Sequence, residues 1–102
     1  MDDSRQERLD VQFPVSFTGD AKGTGAVRNL SIGGCKIESD VFVHDTMLLV
    51  LRLSIPNEPS AVLVDVAAVR WVTSHFFGVQ FLTLQEGEQE RINRHLETIS
   101  AP

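Results

Sequence analysis

Apolar and polar residues follow the pattern of strands along most of this chain and the pattern of a helix only near its end. Val11, Phe13, Val15 and Phe17 are separated by Gln12, Pro14 and Ser16, the two-residue repeat of a strand with one face buried. Pro14 has no backbone N–H to donate, which predicts an edge or a bulge rather than a central strand. The turn formers from Gly19 to Gly25 separate this strand from a second over Ala26 to about Ser31, so the two read as a hairpin. Gly33 and Gly34 break the extended run before Cys35-Lys36-Ile37-Glu38, a third strand. A fourth is predicted from about Thr46 to Ile55. A fifth covers Ala61 to Val72 after the turn-rich Pro56 to Ser60, and a sixth covers Gly78 to Leu82. Short strands in succession, joined by short turns, predict an antiparallel meander or Greek key closed into a six-stranded β-barrel, because closure removes exposed strand edges.

Near the end the apolar spacing lengthens. Thr83 and Glu86 have the separation of a capping box, and Ile92, Leu96 and Ile99 then recur at helical intervals among glutamates and arginines. One amphipathic helix over about 83–100 is predicted to pack on the barrel. Gly87 lowers its intrinsic stability by about 1 kcal/mol relative to alanine, so docking of the apolar stripe has to hold it.

Composition narrows what such a domain does. A chain of 102 residues, 42% hydrophobic, suffices for one core and not for two. Residues 1–9 read as a flexible, arginine-bearing arm and 10–102 as the barrel domain with its helix, since the first eight residues carry almost no apolar surface to offset ordering. No apolar run approaches the roughly 18 residues that cross a bilayer, and MDDSRQER lacks the features of a secretory signal. Cys35 is the single cysteine, so no intramolecular disulfide forms and a reducing compartment fits best. The expectation is a soluble cytoplasmic domain without membrane insertion. A net charge of -5 opposes broad binding to DNA or RNA, yet leaves room for a small anionic ligand where a few arginines converge.

The candidate chemistry lies in Arg28-Asn29-Leu30-Ser31-Ile32-Gly33-Gly34. Asn29 and Ser31 are two apart, which in extended backbone turns both polar side chains to one face, and Gly34 would permit a positive φ and a close backbone approach to a ligand. Turn chemistry after a strand explains the same residues equally well. Arg5 and Arg8, on the arm, carry guanidinium groups able to grip phosphate or the O6 and N7 edge of guanine in two-pronged fashion. His44, His75 and His95 lack metal-ligand spacing, and nothing assigns Cys35 a base, so neither a metal site nor a catalytic site is expected.

The arrangement resembles the PilZ family, whose motifs are an Arg-x-x-x-Arg pair at the amino end and Asp/Asn-x-Ser-x-x-Gly on a following strand. Asn29 to Gly34 matches the second motif in full, and the resemblance continues through Val69-Arg70-Trp71, Phe77-Gly78-Val79-Gln80-Phe81 and Glu88 to Ile92. The first motif departs from the pattern: Arg8 takes the second arginine position while Ser4 stands at the first, with Arg5 one residue late. The resemblance implies a receptor for cyclic di-GMP that regulates a protein partner, with no enzymatic activity and no cofactor. It implies contacts from Arg5, Arg8, Asn29 and Ser31, with Gly33 and Gly34 shaping the turn beneath the ligand. Trp71 aligns with a tryptophan that some members place near a base, although a buried barrel tryptophan is the preferred reading and Arg70 is a weaker candidate still. The alternative is a protein-interaction module of the same fold that has lost useful nucleotide affinity, for which Ser4 is the support.

Overall fold

A computed structural model describes residues 7–100. Six strands, β1 (Leu9–Gly19), β2 (Gly23–Ser31), β3 (Gly34–Glu38), β4 (Leu48–Leu53), β5 (Val62–Val72) and β6 (Phe76–Thr83), precede one helix, α1 (Glu86–Ser100). The strands close into an antiparallel barrel in the order β1-β2-β3-β6-β5-β4. Two three-stranded meanders are therefore joined by β3–β6 and β1–β4 pairing, and the 39–47 segment crosses between them with Val43 buried.

The inward residues follow the period read from the sequence. Phe13, Val15 and Phe17 of β1 are buried, as are Leu49, Leu51 and Leu53 of β4. Phe17 meets Phe77 of β6 edge to face across the interior, with ring centroids 5.6 Å apart.

Three features differ from the sequence reading. The first turn is shorter than its composition suggested, because Gly23 and Gly25 lie inside β2; a Cβ at Gly25 would strike the Glu38 carbonyl, so this glycine serves close strand approach rather than turning. Pro14 sits in a strand paired on both sides, yet its carbonyl accepts from the Ser54 N–H at 3.0 Å, one residue past the end of β4. The absent Pro14 N–H would face that same side, where the ladder has already ended. Thr83 closes β6 instead of capping the helix, which starts at Glu86 with the Gln85 carbonyl accepting from Gln89.

Helix α1 packs on the barrel through Ile92 and Leu96, while Ile99 remains 40% exposed and so falls outside the expected stripe. Polar contacts latch the helix as well. Glu88 accepts the Leu63 N–H at 2.7 Å, Arg91 spans Glu58 at 2.7 Å and Glu88 at 2.8 Å, and it also donates to the Ser60 carbonyl.

These contacts set a pH dependence. The Arg91 hydrogen bond holds the Glu58 carboxyl below its ordinary value of 4.5, the Leu63 N–H does the same for Glu88, and partial burial lowers His95 from 6.5. Each group binds its proton less readily in the folded state, so its contribution is full above the unfolded value and lost as pH falls through the folded one. The thermal midpoint is expected to hold above pH 6.5, sag slightly below it as His95 resists protonation, and drop more steeply below 4.5. Arg91→Met should flatten the steeper part; an unchanged acid limb in that variant would remove the latch from this account.

Candidate functional site

Strand pairing brings the arm to the motif. Asp10 lies opposite Asn29 and Leu9 opposite Leu30, so Arg8 stands one residue outside paired backbone. Its Nη1 donates to the Asn29 Oδ1 at 3.2 Å. Because β1 begins at Leu9 rather than Val11, Arg8 is held more closely than an arm reaching to residue 9 implied. Arg5 lies outside the described residues.

The second motif divides its labour differently from the sequence reading. A bulge at Arg28 interrupts the β2–β3 register between Val27 and Asn29, and beyond it both Leu30 and Ser31 are buried. Ser31 is 1% exposed; its hydroxyl donates to the Gly34 carbonyl at 3.2 Å and accepts the Gly33 N–H at 3.3 Å. It ties the turn together, whereas Asn29 stays half-buried at the surface.

The turn over Ile32 and Gly33 is fixed from both sides. Phe81 of β6 donates its N–H to the Gly33 carbonyl at 2.8 Å, and Gln89 of α1 donates to the Ile32 carbonyl at 3.1 Å. Gly34 does not adopt the positive φ expected of it. It is glycine because a Cβ there would collide with the Val79 carbonyl of β6.

Beside this turn a groove of about 650 Å3 opens, within the roughly 300–1,000 Å3 typical of small-molecule sites. Arg8 and Gly33 line one side; Arg70, Trp71, Gly78 and Gln80 line the other. Arg8 and Arg70 are its only charged side chains among the described residues, so the groove is cationic in a chain of net charge -5.

Trp71 is 37% exposed, which corrects the buried-tryptophan reading. The cause is a bulge in β5: Val69 pairs with Val79 and Trp71 with Gly78, leaving Arg70 as the extra residue. Regular alternation would send Arg70 and Trp71 to opposite faces, and the bulge turns both outward. The indole lies over Gly78, where a Cβ would overlap it.

Residues 2–98 of the chain match the family model described as PilZ domain. This chain is a PilZ domain. PilZ domains are regulatory receptor domains of the cyclic di-GMP signalling system rather than enzymes. No curated protein matches the chain at the level of sequence. Among solved structures, the fold is similar to the PilZ domain of CeSA from a cellulose-synthesizing bacterium, with TM-score 0.70 and 13% identity over 92% of this chain and 98% of that one. It is also similar to the Bacillus subtilis inhibitor of motility, MotI/DgrA, with TM-score 0.76 and 17% identity over 94% of this chain. This PilZ domain corresponds to 51% of that second chain.

Gln80 and Arg70 had little or no place in the sequence reading of the site. Gln80 was legible as the outward polar position between Val79 and Phe81, but its closeness to Arg70 depends on β5–β6 pairing. Cys35 lies beneath the site, fully buried, with burial pushing its thiol up to about 12 against the opposing pull of Arg8. It stays protonated and apolar at neutral pH, a packing residue behind the turn.

Proposed function

We propose that this PilZ domain binds cyclic di-GMP in the cationic groove and presents a changed surface to a protein partner when the ligand is bound. The observation that carries the reading is the Arg8 to Asn29 hydrogen bond, which brings together one residue from each motif, with Arg8 itself lining the groove. In the proposed complex Arg8 takes phosphate or guanine oxygens and Asn29 hydrogen-bonds the ligand as Arg8 turns toward it. Arg5 supplies further positive charge from the arm. Gly33, Gly34 and the buried Ser31 hydroxyl keep the turn backbone in place beneath it. Trp71 offers an exposed indole face against which a purine stacks. No cofactor is required.

Ligand binding would draw charge and chain toward the turn, converting an electrostatic event into a change of shape that a partner reads. The proposed setting is the cytoplasm, which suits a domain whose one cysteine is free and buried.

Ser4 supports the second reading, a PilZ-fold interaction module without useful nucleotide affinity, because a serine replaces neither the charge nor the fork of a guanidinium. Calorimetric titration of the purified native chain and of Ser4→Arg with cyclic di-GMP separates the two. Saturable heat from the native chain supports the receptor. Binding in Ser4→Arg alone, with heat-silent mixing of the native chain at high micromolar ligand, favours the interaction module.

A further inference from the structure

We infer that Arg70 is a specificity-determining residue of the groove, reading the O6 and N7 edge of a guanine base that stacks on Trp71; this rests on the nucleotide-binding reading above. A ligand with two phosphates calls for more than one cation, and Arg8 and Arg70 are the two that line the groove among the described residues. They come from different parts of the fold. Arg8 precedes β1 beside the motif, whereas Arg70 is the bulge residue of β5 and shares its outward face with Trp71.

Arg70 is held in a set orientation. Its Nε donates to the Gln80 Oε1 at 2.8 Å, from the neighbouring strand β6. That bond occupies the inner edge of the guanidinium and leaves Nη1 and Nη2 as a two-pronged donor. A base laid on the exposed indole of the adjacent residue has its rim within reach of this donor pair. Guanine presents two acceptors there, O6 and N7; adenine presents N7 beside an amino donor, which opposes a guanidinium. The same geometry therefore supplies both attraction for guanine and rejection of adenine. Gln80 is a positioning residue, acting through Arg70.

The test is calorimetric titration of the native chain, Arg70→Ala, Arg70→Lys and Gln80→Leu with cyclic di-GMP and with cyclic di-AMP, alongside thermal unfolding. Arg70→Ala is expected to weaken cyclic di-GMP binding by about 10–100-fold, the discrimination typical of one bidentate base contact, while any cyclic di-AMP binding is retained or strengthened as the opposing guanidinium is removed. Arg70→Lys should keep the charge and still lose most of the guanine preference, because one ammonium has no fork. Gln80→Leu should narrow the preference in the same direction with an unchanged thermal midpoint. Native-like cyclic di-GMP affinity in Arg70→Ala overturns the inference and leaves the receptor standing. Equal weakening for both nucleotides overturns it too, reducing Arg70 to a general charge. Silence of the native chain removes the receptor reading and this inference with it.

Discussion

Arg8→Ala is expected to weaken cyclic di-GMP binding by 100-fold or more, in the order of two charge-assisted hydrogen bonds at about 1.5–3 kcal/mol each. Arg8 is exposed, stands next to paired backbone and already reaches Asn29 at 3.2 Å, so its guanidinium is positioned before any ligand arrives. A pre-positioned group loses little conformational freedom on binding, which raises the share of its contacts that appears as affinity. Arg8→Lys should recover only part of the loss, since an ammonium restores the charge without the fork. Because Arg8 is exposed and lies outside the paired strands, the fold should be indifferent to either change, with unfolding free energy within about 0.5 kcal/mol of native. Titration calorimetry paired with thermal unfolding checks both halves. An Arg8→Ala chain that binds as tightly as the native one would displace the site from this groove.

Gly34→Ala is expected to destabilise the domain by about 3 kcal/mol, the upper range for overpacking, which for a domain of this size lowers the thermal midpoint by about 10–20 °C. The added Cβ would strike the Val79 carbonyl, and that atom belongs to the β6 backbone, which has no rotamer with which to yield. Gly34 lies opposite Gln80 and its own carbonyl accepts from Ser31, so any retreat of β3 from β6 loosens the turn and the Gln80 side of the groove together. Gly34→Asn separates two explanations of the glycine. Asparagine tolerates positive φ, so a conformational requirement would spare it, whereas a requirement for space makes it at least as harmful as alanine. Stability of Gly34→Asn near the native value would refute the steric account.

The two positions reveal how the barrel and the site depend on one another. The turn carrying Gly33 is stitched to β6 by Phe81 and to α1 by Gln89, and the helix is in turn anchored by Glu88 to β5 and by Arg91 to the segment between β4 and β5. The Glu88 to Ile92 stretch shared with the family therefore has a structural explanation here. It holds the helix that holds the turn.

Much of this PilZ domain was legible in its residue order. Period-two alternation marked the first and third strands, apolar runs bounded by turn residues marked the others, and the change of period marked the helix, because burial on one face imposes a repeat on a strand or helix of a single core. The order of motif residues from Asn29 to Gly34 and the presence of Arg8 before the first strand pointed to the family and to the place where ligand chemistry would sit. Tertiary structure decided which side chains face outward. Ser31 is buried by the turn it bonds, Trp71 turned outward with Arg70 at the β5 bulge, and Gln80 met Arg70 across a strand pair. A bulge inserts one residue into a ladder and shifts every later side chain relative to its partner, and its position depends on which strands are neighbours. Strand neighbourhood is a property of the closed barrel, so local sequence carries no record of it.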